Sequence, residues 1–179
     1  MAGKVLLNRR RYRREDILRG LYERYRDSLL ILAIALSNDV NTAEDAVHDV
    51  FVAFARTLND FRLTGSMRAY LAKCVANRVR DLMRATRNRV RTLDPELDCP
   101  AAPELNDPGQ LIVCNEQLQL LRSALAQLPP DQREVIVLRV HGQMRFGTIA
   151  RSLGISVNTV KGRYRYGMNR LRSILNREI

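Results

Sequence analysis

The chain has no tryptophan, and only four phenylalanines and six tyrosines among its 179 residues. Any platform for stacking a planar ligand must therefore be Phe or Tyr. Cysteine is scarce as well: Cys74, Cys99 and Cys114 make an odd number, with no Cys-x-x-Cys pair. A disulfide framework is not expected, and reduced thiols are the default. The two histidines, His48 and His141, lie near no cysteine and do not form a His-x-x-x-His pair, so no metal site is expected. No apolar run approaches the length of a membrane span. The apolar part of the first segment, Val5-Leu6-Leu7, is too short for a signal peptide. These absences point to a cytoplasmic protein with no membrane insertion.

Positive charge is abundant. The net charge is +11, which suggests a polyanionic partner. Its distribution says more than its size. Residues 1–14 hold six basic residues and no acid, and residues 62–91 hold nine basic residues against one acid. Residues 92–117 hold six acids and no basic residue, and residues 118–179 hold eleven basic residues against three acids. Two basic blocks are thus separated by an acidic one, a pattern that diffuse attraction to nucleic acid does not require.

Hydrophobic periodicity makes the chain all-α. A basic N-terminal arm, 1–14, precedes a helical domain over 15–91. Its first helix carries Ile17, Leu18, Leu21, Tyr25, Leu29, Leu32 and Leu36 at three- and four-residue steps, and ends at Ser37-Asn38-Asp39. Thr42, with Asp45 three residues on, reads as the capping box of a second helix with the stripe Ala46, Val47, Val50, Phe51 and Phe54. Gly65 and Ser66 read as the turn and cap of a long third helix, with Met67, Leu71, Cys74, Val75, Leu82 and Met83 on one side. Asp94-Pro95, Cys99-Pro100, Ala102-Pro103 and Asp107-Pro108 then break regular structure, which makes 92–115 an acidic, Pro-rich linker between two small domains. The second domain, 116–179, has helices with Leu118, Leu121 and Leu125, then Val135, Ile136, Leu138 and Val140, facing inward. It ends in a helix-turn-helix. There Ile149, Ala150, Leu153, Ile155 and Val160 keep helical spacing around one break, where Gly154 can turn left-handed and Ser156 can cap the next helix.

A helix-turn-helix presents its second helix to a major groove. Arg145, Arg151, Ser156, Asn158, Thr159, Lys161, Arg163 and Arg165 are accordingly the candidate contacts to duplex DNA, with donors for base edges and phosphates. The third helix is strongly basic and follows a loop with Phe61 and Thr64, which fits either a solvated basic face or recognition of a melted strand. A melted strand needs cations for its backbone and a pocket or ring for its unstacked bases. The candidates there are Phe61, Arg62, Thr64, Ser66, Arg68, Tyr70, Lys73, Asn77, Arg78 and Arg84. Glu44, Asp45 and Asp49 lie on the outer face of the second helix. They fit either a helix N-terminus favouring acids or a docking face for a basic partner.

Three stretches in this order resemble sigma factors of the extracytoplasmic-function group, the two-domain initiation subunits of bacterial RNA polymerase. They are Asn41 to Phe51, Gly65 to Asp81, and Leu128 to Arg139 followed by Ile149-Ala, Leu153-Gly-Ile-Ser and Thr159-Val-Lys. The resemblance spans Ile17 to Leu175. It implies that Glu44, Asp45 and Asp49 dock on the polymerase core. It also implies that Asn77 reads a flipped base of the minus-ten element in a pocket shaped by Phe61, Arg62, Thr64 and Ser66. The second domain would bind the minus-thirty-five element as duplex. The partners implied are core RNA polymerase, promoter DNA and an anti-sigma factor, with no cofactor and no catalytic residue. Some residues depart from the family pattern. Tyr70 replaces the usual Trp, Phe146-Gly-Thr-Ile-Ala replaces Tyr-Glu-Glu-Ile-Ala, and Gly162 and Gly167 interrupt the recognition helix.

Two other classes fit parts of the sequence. A free-standing helix-turn-helix regulator would need a dimer seam, and none is visible; the basic block 62–91 would also be surplus. A DNA-cleaving enzyme could take Asp39, Glu44, Asp45 and Asp49 as metal ligands, but all four fall on a single helix start.

Overall fold

A computed structural model describes residues 2–58, 65–93 and 116–177, with side chains described over 15–58, 65–89 and 119–177. The described residues form seven helices: α1 (Ala2–Ser37), α2 (Val40–Thr57), α3 (Met67–Leu93), α4 (Glu116–Ala126), α5 (Pro130–Val140), α6 (Phe146–Leu153) and α7 (Val157–Leu175). No strand occurs among them. The all-α expectation holds. The segment read as an N-terminal arm is helical from Ala2 and continuous with α1, which corrects a helix start at Glu15. Between Ala2 and Ser37 there is no proline, Gly3 falls in the first turn and Gly20 is the one interior glycine, and the arm is rich in Arg, a good helix former. The linker 94–115 lies outside the described residues.

The first three helices pack around Leu29, Leu32, Ala33 and Leu36 of α1, Ala46, Val47, Val50 and Phe51 of α2, and Leu71, Ala72, Val75, Ala76 and Val79 of α3. Tyr22 meets the Phe51 ring edge-on, with centroids 5.0 Å apart. Two expected core positions are wrong: Ile17 and Met83 are exposed. Leu71 and Val75 of α3 are buried as expected, and beside them the small residues Ala72 and Ala76 let the helices approach. The α1–α2 turn is built on Asn38, whose φ of 59° is a conformation that asparagine tolerates. The cap of α2 is Asp39, not Thr42; its side chain accepts from the Thr42 backbone N–H at 2.7 Å. The donor and acceptor of the expected capping box are thereby displaced by three residues.

In the second half, Pro130 opens α5 as a first-turn proline, and Gly154 ends α6 with φ 66°. Ser156 caps α7 by accepting from the Thr159 N–H at 3.0 Å. The helix-turn-helix is thus formed by the residues expected to form it. Ile149, Ala150 and Val160 are buried beneath it. Gly167 is buried where α7 crosses α5: a Cβ there would lie 2.8 Å from Ile136 Cδ1 and 3.1 Å from Gln132 Cβ. Leu121 and Val140, expected inside, are exposed, while Ala124, Leu128 and Val137 are buried. The Leu118 side chain lies outside the described set.

The two halves share one core. Val135, Val137, Leu138, Met144, Ile149, Ala150 and Val160 belong to the same apolar cluster as the first three helices. A smaller cluster, Ala124, Leu128, Ile136 and Leu171, lies on the far side of α5. The halves come close at Gly142, where a Cβ would stand 3.2 Å from that of Ala72. Beside it, His141 Nε2 donates to Ser28 O at 2.7 Å, and Arg68 Nε donates to His141 O at 3.0 Å. Arg122 Nη2 donates to Asn38 O at 3.2 Å. Arg80 and Glu134 pair at 3.0 Å.

Candidate nucleic-acid interface

α7, the second helix of the helix-turn-helix, buries one side only. Val160, Gly167 and Leu171 are buried, and Tyr164 and Met168 are half-buried. Helical spacing then puts Asn158, Gly162, Arg165 and Asn169 on the opposite side. Asn158, Thr159, Lys161 and Arg165 are exposed as expected, and so are Arg145 and Arg151 at the ends of α6. Several assigned residues are also engaged within the chain, among them Arg151, whose Nε donates to Gly147 O at 3.4 Å. Ser156 Oγ and Thr159 Oγ1 are 2.8 Å apart within the cap. Arg163 lies on the flank of α7 and pairs with Asp131 of α5 at 2.6 Å.

One residue escaped the sequence reading. Tyr166 is 59% exposed on the outer side of α7, and the Arg165 guanidinium carbon lies 5.1 Å from its ring centroid. Its position four residues after Gly162, off the buried spacing, is the signal that could have found it. An exposed aromatic beside an arginine gives that face an apolar contact for a base as well as hydrogen-bond donors.

On α3, Lys73 and Arg84 are exposed. Arg68 is held by His141 O, and Asn77 Oδ1 accepts from Arg80 Nη2 at 2.5 Å. The Tyr70 ring tilts against Phe54, with centroids 6.2 Å apart. Burial raises the Tyr70 hydroxyl and the neighbouring Cys74 thiol above their ordinary values, so Cys74 is no ready thiolate. Ser66 caps α3 from an exposed position, its Oγ 3.4 Å from the Ala69 nitrogen. Phe61, Arg62 and Thr64 lie outside the described residues.

On α2, Glu44, Asp45 and His48 are exposed. Asp49 is half-buried, and its Oδ2 accepts from Arg78 Nε at 2.8 Å and lies 2.7 Å from Arg78 Nη2. Two residues expected to meet different partners therefore hold each other. A groove of about 590 Å³ runs between α2 and α3, lined by Asp49, Phe54, Arg56, Tyr70, Cys74 and Asn77 among others. Among the described residues no group of three or more His, Cys, Asp or Glu could hold a metal, and no helix is long and apolar enough to cross a membrane.

Comparison with known proteins matches the same two parts. Residues 21–89 match the family model for Sigma-70 region 2, and residues 118–171 match that for Sigma-70, region 4. The RNA polymerase sigma factor CnrH of Cupriavidus metallidurans is 33% identical over 139 residues, covering 74% of this chain and 73% of CnrH. The ECF RNA polymerase sigma factor EcfG of Rhodopseudomonas palustris is 27% identical over 162 residues, covering 90% of this chain and 84% of EcfG. Among solved structures, the sigma factor RpoE of Bartonella quintana, in complex with the anti-sigma factor NepR, superposes with a TM-score of 0.70 at 25% identity. That match covers 90% of this chain and 98% of RpoE. The chain belongs to the sigma-70 family, in the extracytoplasmic-function group, and is a non-enzymatic factor that directs RNA polymerase to promoters.

Proposed function

We propose that this sigma factor reads its promoters in two physical states, the minus-thirty-five element as duplex through α7 and the minus-ten element as melted strand through α3. The observation that carries this reading is the outer face of α7, where Asn158, Arg165 and Tyr166 are exposed around the side-chain-free Gly162. That face supports base readout, and the exposed Lys73 and Arg84 of α3 suit strand phosphates. Glu44, Asp45 and Asp49 would dock on a basic surface of core polymerase, and Phe61, Arg62, Thr64, Ser66 and Asn77 would shape the base pocket. By analogy with the RpoE–NepR complex, an anti-sigma factor would hold this chain inactive. The stand-alone regulator is not favoured, because region 2 accounts for residues 21–89.

Distance adds a requirement. Elements about 25 base pairs apart are separated by roughly 85 Å of duplex. A compact chain of this length has a radius of gyration of only about 16 Å. Engaging both elements therefore requires the halves to part, breaking the Arg68–His141 and Arg80–Glu134 contacts. Footprinting the holoenzyme on a promoter tests the reading. Protection upstream together with single-strand reactivity near minus ten is expected; one continuous short footprint without melting would reject it.

A further inference from the structure

α5 ends at Val140, and the chain turns through His141 to Arg145 before α6 begins. Gln143 in that turn has φ 53°, a left-handed conformation that costs a non-glycine residue. The N-cap of α6, Arg145, makes no side-chain capping bond. The start of α6 is therefore fixed from outside. Met144 N donates to Leu138 O at 3.1 Å, and Arg139 Nη1 donates to Met144 O at 3.0 Å. The Arg139 guanidinium carbon also lies 4.9 Å from the ring centroid of Phe146, the first residue of α6. Phe146 in turn meets Tyr164 of α7, with centroids 5.4 Å apart at 65°. One exposed cation thus reaches the turn, the start of α6 and, through a single ring, the recognition helix.

The opposite end of α5 holds the neighbouring residue of α7, through the Asp131–Arg163 pair at 2.6 Å. Asp131 and Arg139 are eight residues apart, roughly 12 Å along a helix axis. The two holds thus come from opposite ends of α5 onto adjacent positions in the first half of α7, beside the buried Val160, while Gly167 and Leu171 pack the rest of the helix. The fully buried core beneath α6 and α7 is made by Leu138, Met144, Ile149 and Val160, and Phe146 and Tyr164 pack half-buried at its edge.

We infer that Arg139 is a positioning residue for base reading, setting the tilt of α7 through Phe146 and Tyr164. The inference rests on the duplex reading of α7 proposed above. Arginine suits the role because its planar fork can lie over a ring and donate to a carbonyl at once; lysine offers a point charge only. Promoter discrimination, more than folding, depends on the stack.

The test uses the full chain in holoenzyme with templates randomised separately in the upstream and the downstream element. Arg139→Met should compress discrimination among upstream sequences by about three- to five-fold, the equivalent of one exposed cation–ring contact. Discrimination among downstream sequences should stay as in the wild type. Phe146→Leu should do the same, Phe146→Tyr should retain discrimination, and the double variant should be no worse than either single one. The inference is overturned if Arg139→Met keeps full upstream discrimination, if both elements lose discrimination in proportion, or if Phe146→Tyr behaves as Phe146→Leu. A wild-type holoenzyme indifferent to the upstream element would instead remove the duplex reading, and this inference with it.

Discussion

Arg80 of α3 and Glu134 of α5 form an ion pair across the two halves of the chain, Nε to Oε1 at 3.0 Å, with side chains 32% and 16% exposed. The atoms are close, but they are not aligned as a hydrogen bond. Burial pushes the Glu134 carboxyl above its ordinary value; Arg80 pulls it down, Asp131 pushes it up, and Arg163 and Arg84 pull it down without cancelling the burial. A carboxyl raised on folding stabilises the fold below its ordinary range, and that contribution is lost as pH rises through the raised value.

Glu134→Gln, a neutral isostere, should therefore cost no thermal stability at neutral pH and should raise the melting temperature there. Its advantage should shrink on acidification and vanish below about pH 4.3, where the wild-type group is protonated as well. Paired melts at several pH values check this; a loss of several degrees for the variant at neutral pH would show that the ion pair outweighs its burial.

Asp39 carries the opposite sign. Burial works to raise its carboxyl, but hydrogen bonds from Thr42, side chain and backbone, and from the Asn41 backbone, with the charge of Arg122, leave it below its ordinary value. Its stabilisation is present above the ordinary carboxylate range and is lost as pH falls through the lowered value. Asp39→Ala should cost about 1 kcal/mol, the worth of a helix cap, with Asp39→Asn recovering much of it. The deficit of the Ala variant should be constant near neutrality and fade only in strong acid, as thermal or denaturant unfolding would register.

Three glycines should respond differently to alanine. A Cβ at Gly147 or Gly162 meets nothing within 4 Å, so each substitution should stabilise its helix by up to about 1 kcal/mol. At Gly167 the new atom would sit 2.8 Å from Ile136 Cδ1, and shifting the α5–α7 crossing should cost about 1–3 kcal/mol. Denaturant midpoints separate the cases. Gly162→Ala should stabilise the protein while weakening promoter binding, since that Cβ stands on the outer face of α7.

Acidic residues of α2 should divide by their partners. Asp45 is exposed, so Asp45→Lys should leave melting unchanged and weaken binding to core polymerase about tenfold. Asp49→Lys should lose both, because it also leaves Arg78 without its carboxylate. Competition binding to core enzyme, run beside thermal melts, checks the split.

Local signals in the sequence were legible and distant ones were not. Gly154 and Ser156 disclosed the helix-turn-helix because a left-handed glycine and a hydroxyl cap act within a few residues. The core of α2 was legible for the same reason, a clean stripe from Ala46 to Phe54. On α3 Leu71 and Val75 were legible as core, whereas Ala72 and Ala76 are inside only by virtue of what crosses them and Met83 proved exposed. That Asp131, 32 positions earlier in the chain, pairs with Arg163 could not be read from either stretch. The shared core of the halves, with His141 reaching Ser28 across 113 positions, has no local signature at all.

The most direct test of the account is run-off transcription with purified core polymerase, with and without this chain, on genomic fragments and on variants mutated in one promoter element at a time. The account predicts a discrete product that needs the chain and falls when either element is altered. Initiation no better than that of core polymerase alone on every fragment, with the isolated chain binding a symmetric duplex site as a dimer, would contradict it.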